Sequence, residues 1–338
     1  MVICLKQQLF LQKKHIVISV LKEEFLKHLD KKVEVNHPKN LYEPIAYILG
    51  LGGKKIRPLL TLLSADAFGI DYKKALDAAL AIELFHNFTL IHDDIMDAAP
   101  LRRGNITVHK KWGINRGILS GDAMMVLAYQ NLEAYNDEVF KKLNRLFSKT
   151  ALEVCDGQQL DVDFETRSNV TVDEYIEMIS LKTSVLVGCA LKFGAVIANA
   201  SDVEADKIYK FGLNLGIAFQ LQDDYLDTFG NSKSFGKQVG GDIIENKKTL
   251  LFLTALKLSN NEDKEKLRKM YAEKHQNNDD KVLDVIAIFN KYEVPYLIKQ
   301  EIEKYTKKAF EILETVNIPD EKKQMLYLFG ESLMNRNV

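Results

Sequence analysis

Apolar positions along this chain recur with the period of a helix rather than that of a strand. Val17, Leu21, Phe25 and Leu29 fall on every fourth residue and predict one amphipathic helix. Glu34 to Asn40, which contains Pro38, reads as a short linker, and a second helix is expected from Leu41 to about Leu49. Long apolar-periodic stretches then cover about residues 58–97, 115–164, 172–200, 202–228 and 246–258, each bounded by Gly, Asn, Asp or Ser, and C-terminal helices resume near Val282. Residues 259–281 are so rich in charge and amide that they read as a solvated hairpin or surface helix. Alternating β-branched runs are absent. No proline interrupts the chain between Pro100 and Pro295, so helix interiors there need not break. The expectation is an all-α protein of roughly ten to twelve helices. Residues 36–338 would form one large helical domain, with residues 1–35 as a peripheral helical extension.

Composition narrows the picture. A length of 338 residues, 46% hydrophobic and 28% charged, excludes disorder, collagen and coiled-coil rods. Forty-six basic residues balance 47 acidic ones, so no bulk field steers a nucleic acid and any anionic ligand must be held by a local cluster. Cys4, Cys155 and Cys189 are too far apart for a metal-type pair or a secreted framework, which predicts a reducing cytoplasm. The N-terminal MVICLKQQLFLQKKH offers neither a long apolar region nor a small-residue cleavage site. No window approaches about 20 uninterrupted apolar residues, so no transmembrane segment is expected.

The chemistry sits in a repeated acidic pattern. Asp93-Asp94-Ile-Met-Asp97 and Asp223-Asp224-Tyr-Leu-Asp227 are both DDxxD, and both are embedded in apolar helix. Positions i and i+4 share a helix face, so Asp93 with Asp97 and Asp223 with Asp227 each make a carboxylate pincer. Such packing is unfavourable without a cation. A hard divalent ion is the natural partner, and Mg²⁺ commonly takes one or two carboxylates and completes its shell with water and substrate phosphate. Two polar stripes on otherwise apolar helices, His86-Leu90-Asp93-Asp94-Asp97 and Gln220-Asp223-Asp224-Asp227, suit an interior cavity better than bulk water. Upstream, Gly50-Leu-Gly-Gly-Lys-Lys-Ile-Arg-Pro58 is a glycine-rich loop whose basic residues flank the start of the next helix.

These stretches resemble, in order, those of the trans-isoprenyl diphosphate synthases, the head-to-tail chain-elongating enzymes of the polyprenyl synthetase family. The resemblance rests on Gly52-Gly-Lys-Lys-Ile-Arg-Pro58, FHNFTLIHDDIMDAAPLRRG from Phe85, Lys182-Thr183, FQLQDDYLD from Phe219, Gly236-Lys237 and Asn246 to Thr249, spanning about residues 41–250. It implies a single isoprenoid-synthase bundle with a central cavity between the two acidic-motif helices, and Mg²⁺, with Mn²⁺ as a possible substitute, on Asp93, Asp94, Asp97, Asp223, Asp224 and Asp227. Gly53, Lys54, Arg57, His86 and Arg103 would hold isopentenyl diphosphate. Arg102, Lys182, Lys237 and Lys247 would hold the allylic diphosphate, with Thr183 and Gln220 pointing oxygen dipoles at the cation. Lys55 stands where Arg is more usual in that loop. Phe229 to Gly241, with four glycines, would be a lid carrying Lys237.

The reaction so implied is ionisation of an allylic diphosphate, attack by the isopentenyl alkene, and loss of a proton, for which the released pyrophosphate is the family's base. Product length in the family depends on the residues just before the first acidic motif. Phe88, with Thr89 beside it, resembles synthases that stop at fifteen or twenty carbons, with twenty preferred, and Phe85 is the alternative floor. On an ideal helix Phe88 lies about 140° around from Asp93, so its role rests on the resemblance. A homodimer is implied as well. Three alternatives stay open: a long-chain synthase for quinone side chains, a non-catalytic regulatory subunit, and a terpene cyclase, which has no use for the second diphosphate site of Lys54, Arg57 and Arg103.

Overall fold

Helix accounts for 82% of the computed structural model, and among the described residues the two strands have two residues each, so the all-α expectation holds. The structure describes residues 2–230, 240–272 and 278–334, with side chains from residue 16 onward. In chain order the helices are α1 (Val2–Lys32), α2 (Lys39–Gly50), α3 (Ile56–Ala67), α4 (Leu76–Met96), α5 (Val108–Trp112), α6 (Ile114–Leu132), α7 (Asp137–Thr166), α8 (Val172–Ile179), α9 (Val185–Ile197) and α10 (Asp202–Phe229). They continue with Gly241–Ile244, Leu250–Leu258, Asn261–Ala272, Asn278–Lys291, Val294–Glu314 and Asp320–Met334.

Several stretches that read as single helices are broken. The stretch 58–97 turns at Gly69, whose φ of +90° suits a residue without Cβ, and a 3₁₀ turn then starts where the Asp71 side chain accepts from Lys73 N. Likewise 115–164 divides into α6 and α7, and α8 passes into α9 through a five-residue π turn, Ser180–Ser184. The charged stretch 259–281 contains a true amphipathic helix, Asn261–Ala272, which buries Leu267, Met270 and Tyr271. Between α4 and α5 the chain makes a small hairpin, Leu101–Arg102 against Asn105–Ile106, with Arg103 and Gly104 both at positive φ in the manner of a type I′ turn.

The chain divides into two compact units. The first comprises Met1–Ser148, Cys189–Tyr209 and Val316–Leu328. Its core helix α4 buries Leu80, Ile82, Leu84 and Phe85 against α3 and α6. Leu21, Phe25 and Leu29 of α1 are buried against α3 and α4, as the four-residue stripe predicts. Phe85, Phe147 and Phe193 form a row, the first pair edge-on with centroids 5.2 Å apart and the second tilted at 5.9 Å. Gly194 is required where α9 crosses α3: a Cβ there would lie 2.5 Å from the backbone of Thr61 and Ala65.

The second unit comprises Lys149–Gly188, Lys210–Thr315 and Phe329–Val338. Its core gathers Tyr175, Leu221, Phe252, Leu267, Phe289 and Ile298, with Phe252 and Tyr271 stacked at 4.0 Å. By length and composition Val172–Ile197 is apolar enough to cross a membrane, a possibility that uninterrupted runs alone did not reveal; 67% of its apolar window is buried inside the protein, as in a core helix.

Candidate active site

In the first unit the acidic motif ends α4. Asp97 caps the helix, its N–H donating to the Asp93 carbonyl at 2.9 Å, so the i, i+4 relation is realised at the last turn. Asp93 is half-buried and Asp97 exposed, whereas Asp94 turns inward. Arg102, on the hairpin, donates to Asp94 Oδ1 through Nε at 3.0 Å and Nη2 at 2.5 Å, and reaches Asp93 Oδ2 at 3.4 Å. Burial raises the Asp94 pKa, and the Arg102 hydrogen bonds oppose that rise. Asp94 Oδ2 is buried with no hydrogen-bond partner.

One turn and more below lies a basic cluster. The loop between α2 and α3 carries Gly53 at φ +106°, and a Cβ there would meet the Arg103 guanidinium carbon at 2.9 Å. Arg103 Nη1 donates to Gly52 O at 2.7 Å, so its planar group lies on the glycine backbone. Arg57, in the first turn of α3, approaches His86 Nε2 through Nη1 at 3.3 Å. Arginine can only donate, so Nε2 accepts and the His86 proton sits on Nδ1. Burial, and then the charges of Arg57, Arg103, Arg102 and Lys55, hold the His86 pKa well below its ordinary value. A neutral imidazole surrounded by cations marks a positive field that an anion would relieve.

Also on α4, the Thr89 hydroxyl donates to the His86 carbonyl at 2.8 Å. Phe88 is 8% exposed and stacks on Phe85 at 5.5 Å and His92 at 4.7 Å. His92 Nε2 lies 3.2 Å from Ile118 O on α6, which gives that ring a packing task.

In the second unit the other acidic motif lies near the end of α10. Tyr175, wholly buried on α8, donates to Asp224 Oδ2, and Gln220 Nε2 donates to Asp224 Oδ1 at 2.8 Å. The Thr183 hydroxyl donates to Gln220 Oε1 at 3.0 Å. A relay thus runs Thr183 to Gln220 to Asp224, closed by Tyr175. Burial raises the Asp224 carboxyl to about 6 against the pull of these two hydrogen bonds. Asp227 Oδ2 accepts from Asp242 N at 2.9 Å and so starts the helix Gly241–Ile244. Asp223 is half-buried.

Lys182 Nζ pairs with Asp161 of α7 at 2.5 Å. Gly157, one turn before Asp161, lets α7 lie directly on the π turn: a Cβ there would sit 2.2 Å from Lys182 N. A cavity of about 100 Å³ opens at this point, with Asp161, Lys182, Thr183, Gln220, Asp224 and Lys247 in its wall. Lys248 borders the same cavity and has a second task. It donates to Phe164 O at 2.5 Å and Glu165 O at 3.1 Å, capping the last turn of α7.

The polyprenyl synthetase family model matches residues 38–289. The chain belongs to the polyprenyl synthetase family. It is 44% identical over 229 residues to the geranylgeranyl diphosphate synthase of Methanosarcina mazei, covering 67% of this chain and 71% of that one. It is 36% identical over 304 residues to the geranylgeranyl diphosphate synthase of Saccharolobus solfataricus, covering 88% and 91%. A crystal structure of a geranylgeranyl pyrophosphate synthase superposes with a TM-score of 0.92 at 51% identity, covering 95% of this chain and 99% of the other. The protein is thus an all-α prenyltransferase.

In this polyprenyl synthetase, Gly53, Arg57, His86 and Arg103 converge in the first unit, and Lys182, Thr183, Gln220, Asp224 and Lys247 line one cavity in the second. Lys54 sits exposed beside Gly53. Lys237 and most of the expected lid lie outside the described residues. Sequence reasoning missed Tyr175, Asp161 and Gly157, which act on named site residues from 49, 21 and 25 positions away, and Glu83, which pairs with Lys55 from 28 positions away. No signal in one sequence pairs residues at such distances. The donor chemistry suits a divalent ion of the kind the family uses: all six candidate ligands are carboxylates, and one buried oxygen, Asp94 Oδ2, lacks a partner. Among the described residues no three His, Cys, Asp or Glu side chains form a ready-made metal cage, as expected where substrate phosphate completes the shell.

Proposed function

We propose that this prenyltransferase condenses isopentenyl diphosphate with an allylic diphosphate, head to tail and with Mg²⁺, to give geranylgeranyl diphosphate. The observation that carries the reading is the cationic cluster around His86. An imidazole held neutral by burial and four cations, beside a glycine backbone shielded by Arg103, is built for a second polyanion that no carboxylate motif could hold. Lys54, Arg57 and Arg103 bind the diphosphate that stays, and His86 presents its Nδ1 proton to it. Synthases of the same product among the relatives support the twenty-carbon length.

Asp93, Asp94 and Asp97, with Asp223, Asp224 and Asp227, would hold the metal ions. Mg²⁺, or Mn²⁺ in its place, would supply there the positive charge that offsets the charge developing on the leaving diphosphate. Arg102, Lys182, Lys247 and Lys237 supply the protein's share of that neutralisation. Thr183 and Gln220 are fixed by their hydrogen bonds with the oxygen dipoles ordered along the relay, which stabilises positive charge in the adjoining cavity. Phe88, packed on Phe85 and His92, limits product length from α4, with Thr89 on the neighbouring stripe.

The protein is read as a cytoplasmic homodimer that binds no nucleic acid. Ile114, Ile118, Leu119 and Val126 are exposed along α6, an apolar stripe that supports self-association. Incubation with labelled isopentenyl diphosphate, a farnesyl or geranyl primer and Mg²⁺, followed by product sizing, tests the proposal. A twenty-carbon diphosphate is expected. Release of a cyclic hydrocarbon without consumption of isopentenyl diphosphate, or no metal-dependent turnover, would overturn it.

A further inference from the structure

Behind the cationic cluster lies an ion pair that neither the metal motifs nor the diphosphate sites use. Lys55 Nζ pairs with Glu83 Oε1 at 2.9 Å, and the two side chains are 1% and 2% exposed. The same Nζ donates to Leu49 O at 3.2 Å, the end of α2. Asn87 Nδ2 donates to Glu83 Oε1 at 3.0 Å and to Glu83 O at 2.8 Å, which fixes the carboxylate on α4. Lys55 itself stands at φ +53°, in the left-handed region, as the residue that starts α3. That backbone conformation is uncommon for a residue with a side chain, so the tertiary contacts of Lys55 help to hold it.

A buried ion pair is weak as a source of stability, because desolvation offsets attraction, and its better-attested use is to fix register. Here the register is specific. Lys55 lies between Lys54 and Arg57, and Glu83 lies one turn before His86. The loop and α4 are therefore joined at two successive levels, Lys55 to Glu83 below and Arg57 to His86 above. Burial lowers the Arg103 pKa and the Glu83 charge opposes that lowering, so the carboxylate is felt within the anion site. Left uncompensated, that carboxylate would repel the very ligand the cluster serves.

We infer that Lys55 and Glu83 form a positioning pair for isopentenyl diphosphate: they lock the glycine loop onto α4 in the register that aims Lys54 and Arg57 at the diphosphate, and they neutralise the buried carboxylate beneath it. Neither residue touches substrate. The inference rests on the assignment of Lys54, Arg57 and His86 to that diphosphate, and the test separates the two.

The variants are Lys55→Met/Glu83→Gln, which leaves no uncompensated buried charge, and Lys55→Arg, which keeps the pair. Steady-state kinetics with each substrate varied in turn, together with melting temperatures, supply the readouts. The double variant should raise KM for isopentenyl diphosphate about tenfold or more, with KM for the allylic primer within about twofold and melting little changed. Lys55→Arg should stay within about threefold of wild type for both substrates. Should the double variant not fold, Glu83→Gln alone, isosteric with the native residue, is read by the same criterion. Unchanged KM for isopentenyl diphosphate, or an equal rise in both KM values, would overturn the positioning role. Arg57→Ala is run alongside. If it raises KM for the allylic primer instead, the site assignment itself fails; if it raises KM for isopentenyl diphosphate while the double variant is silent, only the positioning pair fails.

Discussion

Gly157→Ala isolates how α7 sets the π turn that carries Lys182 and Thr183. On helix propensity alone the change should stabilise α7 by about 1 kcal/mol. The added Cβ, however, would stand 2.2 Å from Lys182 N and 2.7 Å from both Leu181 C and Lys182 Cα. Ordinary contact needs about 3.5 Å, so the π turn must retreat by about 1 Å, and since every clashing atom is backbone no rotamer change relieves it. Overpacking of this kind costs about 1–3 kcal/mol, which leaves a net destabilisation of at most about 2 kcal/mol. Activity should suffer more. Displacing Lys182 and Thr183 by about 1 Å predicts a loss of roughly 100-fold in kcat, or about 2.7 kcal/mol of barrier. Steady-state turnover with labelled isopentenyl diphosphate, measured well below the melting temperature, reads the effect. Gly50→Ala serves as the control, because a Cβ there meets nothing within 4 Å. A Gly157→Ala enzyme with more than a third of wild-type kcat would refute the claim that this helix contact fixes the π turn.

Asp93→Ala and Asp223→Ala should each lower Mg²⁺-dependent turnover by about 10²-fold or more while shifting the melting temperature by only a few degrees, both residues being half-buried; near-normal turnover in either would remove that aspartate from metal binding. Phe88→Ala should lengthen the product by about one isoprene unit and destabilise the fold by about 3 kcal/mol, as read by product sizing and denaturation; an unaltered product with Phe85→Ala lengthening it would move the floor one turn down α4. His86 is held neutral when folded, so the unfolded chain binds more protons and stability rises with pH up to the unfolded value near 6.5. Wild type should therefore lose stability below pH 6.5 faster than His86→Gln, by up to about 1.4 kcal/mol per pH unit; parallel melting curves from pH 7.5 to 5.5 would contradict the burial of a neutral imidazole.

The elements that carry chemistry were legible where chemistry demands a local pattern. DDxxD on apolar helix needs only helical periodicity to be read, and both copies sit on long helices, α4 and α10. The stripe Leu21, Phe25, Leu29 was legible for the same reason. The turn at Gly69 to Asp71 was not, because the apolar period resumes within four residues and one glycine is a weak break. Partners across the fold were least legible. Nothing in Glu83 or Tyr175 as residues on apolar helices distinguishes a counter-ion or a carboxylate donor from an ordinary core polar group. Lys247 and Lys248 make the same point: they are adjacent and identical and both border the cavity, yet Lys247 pairs with Glu245 whereas Lys248 caps the end of α7.

The hairpin between α4 and α5 has no slack. Its two strands are two residues long, its turn is Arg103-Gly104 with both residues at positive φ, and Thr107 already donates to Ala99 O at 2.7 Å across its base. Surface connections commonly absorb insertions and deletions, but one residue added here would carry Arg103 to the opposite face of the ribbon and break the alternation that sends Arg102 to the aspartates. Grafting, tagging or splitting this protein should therefore avoid residues 99–107. Length in this connection is itself a functional parameter, as binding as the identity of the two arginines it presents.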